Sequence, residues 1–311
     1  MRAIWFERHG GAEVLELRDV PEPVPGDDEV LVDVEAIGVN FRDVYERERE
    51  GYGTDAPGVL GAEAGGTAVG TGERLAWAHG TASYAERVAV KRDRTVPIPD
   101  AVPTDVAVAA LLQGMTAHYL CHDSYAVQPG DWVVVHAAAG GVGLLLTQLV
   151  KLRGGRVLAT VSTPEKAALA REAGADEVVG YDAFEERARE LGAAAVYDGV
   201  GRATFEAGLR ALRPLGSLIL YGSASGDPEP FQVARLAGLG SLYVQRPTLH
   251  TYTRTPELLR SRAASVFALV AEGALDVRIG ARYPLADARR AHEDLEGRRT
   301  TGKLLLVPSC G

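Results

Sequence analysis

The chain has 311 residues, 46% of them hydrophobic, with 33 Lys and Arg against 42 Asp and Glu for a net charge of −9. That length predicts two domains and a sizeable core, and the acidic balance argues against nucleic acid or an anionic membrane surface as the main partner. Two cysteines, Cys121 and Cys310, make no disulfide framework, no apolar run spans a bilayer, and MRAIWFERHGG lacks the apolar core of a signal peptide, so a reducing, cytoplasmic setting is expected.

Residues 3–6 and 15–20 read as strands joined by HGGAEV, and Pro21, Pro23 and Pro25 interrupt the chain before a strand over 29–37. GVNFRDVYEREREGYG follows, a helix start running into a charged segment. PGVLGAEAGG (57–66) is too rich in glycine for a helix and reads as a tight loop into a strand; short strands over 74–78 and 84–90 come next. This first stretch is mostly β with turns at short intervals, a small closed or partly closed barrel. From 104 to 126 the pattern turns helical.

The most informative segment runs from Asp131 to Lys166. A β-branched run over 132–136 suits a strand buried on both faces, Gly140, Gly141 and Gly143 crowd the next turn, apolar residues at helical spacing fill 142–153, and 156–161 reads as a second strand after Gly154 and Gly155. This is a βαβ unit with a dinucleotide fingerprint in its first turn. A helix N-terminus offers unpaired N–H groups and the positive end of its dipole to an anionic pyrophosphate; Gly140 allows close approach of backbone and phosphate, and Gly143 allows tight packing of helix on strand. The match to G-x-G-x-x-G is incomplete, because Ala138 stands where the first glycine belongs. NAD-binding units carry an acid at the end of the second strand for the ribose 2′-hydroxyl. Here that strand ends VSTPEK, offering Ser162 and Thr163 with Lys166 one turn on, which favours a 2′-phosphate and hence NADPH.

The alternation continues: helix 164–173, strand 177–179, helix 183–191, strand 194–198, helix 204–212 and strand 217–221. This order implies a parallel sheet with helices on both faces. The tail reads as helix 256–272, strand near 279–283, helix 285–296 and strand 303–307.

HGGAEVLEL, IGVNFRDVY, PGVLGAEAGG, LLQGMTAHYL, VHAAAGGVG, VYDGVGRATF, GSLYVQRPTL and AHEDLEGRRTTGKLLL together carry a resemblance almost from end to end. The chain resembles the zinc-free quinone oxidoreductases of the medium-chain dehydrogenase/reductase superfamily, the zeta-crystallin-like branch. The resemblance implies an α/β fold: a GroES-like β-rich catalytic domain (1–117 with 250–311) around an inserted Rossmann domain, a doubly wound parallel sheet (118–249) that binds NADPH. It implies NADPH-dependent reduction of a small-molecule quinone without metal, with the cleft at the domain junction. Reduction of the C=C bond of enones or enoyl thioesters and a non-catalytic NADPH-binding role are the alternatives. A homodimer paired through the Rossmann domains is also implied, with 241–245 as the candidate edge strand.

Zinc members of the superfamily use a Cys, a His-Glu pair and a further Cys or Asp. Here Asn40 holds the first ligand position, Ala62 stands beside Glu63, and the cysteine lobe is absent. By resemblance Asn40, Tyr45 and Tyr52 line the acceptor pocket, the tyrosine hydroxyls donating to a quinone oxygen and Asn40 orienting ribose or acceptor. Gln113 falls at the family's polar cleft position. Gly140, Gly141, Val142, Ser162 and Lys166 are placed around the phosphates, Tyr181 and Arg298 near the adenosine, and Tyr125, Gly199, Tyr221, Gly222 and Val244 along the path to the nicotinamide. Two departures touch the acceptor side: ERERE (46–50) brings charge where relatives are more apolar, and 65–75 is shorter than usual. His118, Cys121 and His122 lie on one face of a helix without an evident fourth ligand, which makes packing the favoured reading over a metal site.

Overall fold

The computed structural model describes residues 1–80 and 82–308. It divides into two compact units, Met1–Met115 with Thr253–Gly311, and Thr116–Tyr252.

The first unit opens with β1 (Arg2–Phe6), β2 (Leu15–Asp19) and β3 (Glu29–Val39), then α1 (Phe41–Glu48), β4 (Gly58–Val59), β5 (Glu63–Ala68), β6 (Arg74–Trp77), β7 (Arg87–Lys91), β8 (Val96–Pro97) and α2 (Thr104–Tyr119). In β3 the valines Val30, Val32 and Val34 point inward while Asp33 and Glu35 face out, the period-two pattern of a strand with one wet face. β3 is the hub of its sheet: it pairs antiparallel with β5 and β7, and Leu304–Leu306 of the last strand lie against Ile37–Val39. Phe6, Ile37, Leu60, Trp77, Tyr84, Leu304 and Leu306 fill the core beneath.

The second unit holds β9 (Trp132–Val135), α3 (Gly141–Leu152), β10 (Arg156–Thr160), α4 (Pro164–Glu172), β11 (Glu177–Val179), α5 (Phe184–Leu191), β12 (Ala193–Asp198), α6 (Phe205–Ala211), β13 (Leu212–Leu220), α7 (Arg235–Gly238), β14 (Tyr243–Gln245) and α8 (Leu249–Tyr252). The strands pair in parallel in the order β11-β10-β9-β12-β13-β14, the doubly wound arrangement, which reverses direction between β9 and β12. Central β9 is buried from Val133 to Val135, as a strand covered on both faces must be. Val134, Leu158, Phe184, Val196, Leu209 and Leu218 pack into one core. Truncating the fully buried Phe184 to Ala would cost about 3–5 kcal/mol.

The chain then returns to the first unit with α9 (Pro256–Ala271), β15 (Ile279–Pro284), α10 (Ala288–Glu296) and β16 (Lys303–Val307). The helices over 164–173 and 256–272 begin where the sequence places them, each with Pro at its first position and an N-cap threonine, Thr163 or Thr255, accepting from the backbone three residues on. Three details differ from the sequence reading. β7 begins only at Arg87, because the backbone of Ser83 and Tyr84 pairs with Gly61, Leu60 and Ile4. The helical run from 104 stops at Tyr119 and closes in a π turn over Leu120–Ser124. β13 starts at Leu212, five residues early, its opening segment bent where Leu215 takes a left-handed φ of 62°.

Candidate functional site

In the second unit the glycine turn stands at the carboxyl end of β9, where ligands of doubly wound sheets bind. Gly140 is the N-cap of α3, so the N–H groups of Gly141, Val142 and Gly143 lie in a first turn that supplies them no carbonyl. A Cβ on Gly143 would stand 2.5 Å from the Ala137 carbonyl oxygen and 2.7 Å from Ala138 Cα. Tight seating of α3 on β9 therefore requires a glycine there. At the end of β10, Ser162 and Thr163 are exposed and stand where an acid would accept from a ribose 2′-hydroxyl. The nearest acid, Glu165, comes in the first turn of α4, where its own backbone N–H and the Thr163 hydroxyl hold its carboxyl below the usual range. The Thr163 hydroxyl accepts from the Lys166 N–H at 3.3 Å, which fixes the start of α4 with Lys166 in its first turn. The Tyr181 hydroxyl accepts from Ala137 N–H at 3.1 Å, which places this side chain beside the glycine turn.

Gly199, Tyr221 and Gly222 come together after the carboxyl ends of β12 and β13. A Cβ on Gly199 would press into the Tyr221 ring at 2.9 Å, and one on Gly222 would stand 2.9 Å from the Gly199 carbonyl oxygen. Val244 pairs with Leu218 and packs on the core of this unit. Tyr125 is placed elsewhere: its hydroxyl donates to Asp131 at 2.8 Å, and Asp131 immediately precedes β9, at the opposite end of that strand from Gly140. Arg213 holds the other Asp131 oxygen at 3.2 Å.

In the first unit β3 delivers Asn40 to the N-terminus of α1, and α1 carries Tyr45 on toward Tyr52. The two tyrosine rings meet edge to face at 5.6 Å, Phe41 lies 6.4 Å from Tyr45, and the Arg49 guanidinium stands over the Tyr45 ring at 5.0 Å. Asn40 turns inward. Its Nδ2 donates to Glu63 Oε2 at 2.9 Å and to the Gly38 carbonyl at 3.3 Å, and its Oδ1 accepts from Lys303 Nζ at 2.7 Å. Lys303 also pairs with Glu63, whose second oxygen accepts from the Leu112 N–H at 2.7 Å. Both side chains of this ion pair are essentially fully buried, at 1% and 0% exposure. Gly38 makes room for them, since a Cβ there would fall 2.0 Å from Glu63 Oε2. Sequence reasoning passed over Lys303. The signal was present in KLLLV, because a lysine opening a core strand must find a carboxylate.

The charged segment after Tyr45 is built differently from the sequence expectation. Glu46 and Arg47 are buried: Glu46 accepts from the Thr54 N–H at 2.8 Å and ties down the loop that bears Tyr52, while Arg47 pairs with Glu48 and Glu296 and donates to the Gly10 carbonyl. Arg47 also faces His292 Nδ1 at 3.1 Å. A guanidinium can only donate, so that nitrogen accepts, and the other ring nitrogen carries the proton toward the Tyr84 hydroxyl at 3.1 Å. Tyr84 in turn donates to Asp43 Oδ2 at 3.0 Å, which also accepts from the Asn40 N–H at 2.8 Å. Burial and the adjacent Arg47 drive His292 down to about 3, so it stays neutral. Burial, reinforced by Glu46, pushes Asp43 up to about 7. The Asp43 carboxylate thus sits at the receiving end of a chain of donors and also fixes the backbone of Asn40.

The N-terminal region matches the alcohol dehydrogenase GroES-like domain over residues 26–91, and the inserted region matches the zinc-binding dehydrogenase domain over residues 141–264. A quinone oxidoreductase of Pseudomonas aeruginosa is 40% identical, the match covering 99% of each chain. The chain belongs to the zinc-free quinone oxidoreductases of the medium-chain dehydrogenase/reductase superfamily. Among solved structures, a mycobacterial protein complexed with NADPH shares 45% identity at a TM-score of 0.96, covering 99% of this chain and 100% of that one. The Escherichia coli quinone oxidoreductase complexed with NADPH shares 36% identity at a TM-score of 0.95, with the same coverage.

For this quinone oxidoreductase family member, the zinc named in the second domain model does not fit the residues present. At the ligand positions an amide and a methyl group replace thiolate and imidazole, and an ammonium already holds Glu63. No cluster of three His, Cys, Asp or Glu with metal-binding geometry occurs among the described residues. His118 and His122 stack at 4.0 Å, and His122 Nδ1 lies 2.9 Å from the His118 carbonyl and 3.2 Å from the buried Cys121 sulfur, which is packing within one helix end. Cys310 lies outside the described residues. A dinucleotide does fit the second unit, where the N–H groups in the first turn of α3 have no carbonyl of their own and face an anion's place. In the first unit, Gln113 Oε1 is buried without a donor. Arg298, with a left-handed φ of 55° after α10, belongs to the unit of Asn40 rather than that of the glycine turn.

Proposed function

We propose that this protein transfers hydride from NADPH to a small-molecule quinone without a metal. The observation that carries the reading is the Asn40–Glu63–Lys303 cluster: an ammonium stands where a metal-dependent relative needs ligands, and Asn40 opens the segment that goes on to Tyr45 and Tyr52. NADPH, when bound, supplies the hydride. The N–H groups of Gly141 and Val142, after Gly140, hold its pyrophosphate, and Ser162, Thr163 and Lys166 take the 2′-phosphate. Tyr181 and Arg298 serve the adenosine end, and Gly199, Tyr221, Gly222 and Val244 shape the path to the nicotinamide. The Tyr45 and Tyr52 hydroxyls donate to the quinone oxygen on which negative charge builds. Asn40 orients the ribose or the acceptor.

The exposed Tyr243 lies on β14, an edge strand of the parallel sheet, and supports a homodimer paired along that edge. The same reading puts the protein in the cytoplasm, in keeping with a buried Cys121 side chain.

A steady-state screen of NADPH oxidation against small quinones, alkenals and enoyl thioesters tests the activity. Quinones should give the highest kcat/KM, and exhaustive chelation should leave the rate unchanged. Preference for the alkenes would move the assignment to C=C reduction, and tight NADPH binding with no turnover would make this a binding protein.

A further inference from the structure

The charged run after Tyr45 buries a carboxyl group one residue beyond that tyrosine. Glu46 is 1% exposed, and its Oε1 accepts from the Thr54 N–H at 2.8 Å. Gly53 lies against the same group: a Cβ there would stand 2.5 Å from Glu46 Cδ and 2.7 Å from Oε2, so loop and carboxyl pack with no side chain between them. Tyr52 comes immediately before these two residues. On its other side the Gly51 N–H donates to Asp55 Oδ1 at 2.8 Å, and the Tyr52 N–H reaches the Arg49 carbonyl at 3.4 Å. Gly51 and Gly53 flank Tyr52, and glycines cost the most backbone entropy to order, so the fixed ends decide where the tyrosine stands.

We propose that Glu46 is a positioning residue for the reaction, holding Tyr52 beside Tyr45 so that both hydroxyls meet the quinone oxygen together. This rests on the quinone reading above and names what builds the donor pair. Tyr45 and Glu46 are neighbours in α1, so one turn of helix carries the first donor and the anchor of the second. The two rings meet edge to face at 5.6 Å. Donors fixed before the acceptor arrives need no reorganisation as charge develops, whereas a tyrosine on a loose loop must be ordered in every turnover. An apolar side chain at 46 has no acceptor to offer the Thr54 N–H. Arg42, one turn earlier in α1, faces Glu46 Oε2 at 3.8 Å, so the carboxylate is not buried without a counter-charge.

Two measurements on the full chain test it: steady-state reduction of a small quinone by NADPH, and amide hydrogen exchange over 51–55 read by mass spectrometry. Glu46→Leu should lower kcat by about tenfold, the worth of one good hydrogen bond, with NADPH affinity unchanged in a binding titration. Glu46→Gln keeps an oxygen for the Thr54 N–H and should recover most of that loss. In a Tyr52→Phe background no hydroxyl is left to position, and Glu46→Leu should cost nothing further. Exchange over 51–55 should rise in Glu46→Leu and fall back in Glu46→Gln. Where the leucine keeps the chain from folding, Gly53→Ala drives a methyl against the same carboxyl and should give the same loss of kcat. Equal losses with and without the Tyr52 hydroxyl, or NADPH binding weakened in step with kcat, would mean a general structural role and overturn the proposal. So would a Glu46→Gln variant as slow as Glu46→Leu, or exchange over 51–55 that ignores residue 46. A wild-type protein that binds NADPH but reduces no quinone refutes the activity reading instead, and the exchange comparison still decides whether Glu46 anchors Tyr52.

Discussion

Asp43 gives the sharpest physical prediction. Its carboxyl is fully buried, its Oδ1 meets no partner, and burial together with Glu46 lifts it from an ordinary 3.8 to about 7. Below pH 3.8 the group is protonated in both folded and unfolded chains and contributes no pH dependence. Between 3.8 and about 7 the folded protein keeps a proton that the unfolded chain has released, so stability falls as pH rises, and above about 7 the loss is complete. That interval spans about three pH units, and at about 1.4 kcal/mol each it amounts to about 4 kcal/mol as an upper figure. Asp43→Asn keeps an oxygen for the Asn40 N–H and the Tyr84 hydroxyl but cannot titrate. The free-energy difference between variant and wild type should therefore move in favour of the variant from pH 4 to pH 7 and then level off. His292, neutral through this range and common to both proteins, cancels. Urea unfolding followed by tryptophan emission in a Trp132→Phe background measures it, because the remaining Trp5 and Trp77 both report the unit that holds Asp43. Parallel stability profiles for the two proteins across this range would refute the assignment of a raised Asp43.

Lys166→Ala should lower kcat/KM for NADPH while leaving that for NADH unchanged; a native preference for NADH, or one for NADPH untouched by the substitution, removes Lys166 from the 2′-phosphate. Gly143→Val forces a side chain against Ala137 and Ala138 and should abolish NADPH binding in a titration while the Asn40 unit keeps its unfolding profile. Gly38→Ala drives a methyl into the buried ion pair and should lower unfolding stability by about 3–5 kcal/mol, the cost of leaving a buried charge without its partner. With the tyrosine hydroxyls donating to the acceptor oxygen as proposed, Tyr45→Phe and Tyr52→Phe should each reduce kcat for quinones by about a hundredfold to a thousandfold with NADPH affinity unchanged.

The βαβ unit was legible because every local signal agreed: a β-branched run, glycines at the turn, helical spacing, and a threonine cap ahead of Pro164. The order Ser162, Thr163, Pro164 after β10 could be read for the same reason, since a capping threonine ahead of proline announces the next helix directly. Lys303 could not. In GRRTTGKLLL it looks like one more surface cation, and only the pairing of β16 with β3 brings it to Asn40 and Glu63. ERERE misled in a similar way: Arg47 finds Glu296 from 249 residues away, a contact with no local sequence signature. Tyr125 shows the limit of carrying a position across by motif, because its hydroxyl follows Asp131 to the other end of the strand.

The lysine that completes the Asn40 site is separated from Asn40 by 263 residues. On a ribosome the first unit therefore emerges with Glu63 already made and its counter-charge still unsynthesised, while the whole of the second unit is available to fold in the interval. Until β16 arrives, β3 keeps an open edge and Glu63 lacks the cation that makes its burial tolerable. The last strand works as a completeness check. A chain released early would lack both the strand that covers this edge of β3 and the cation that Glu63 needs.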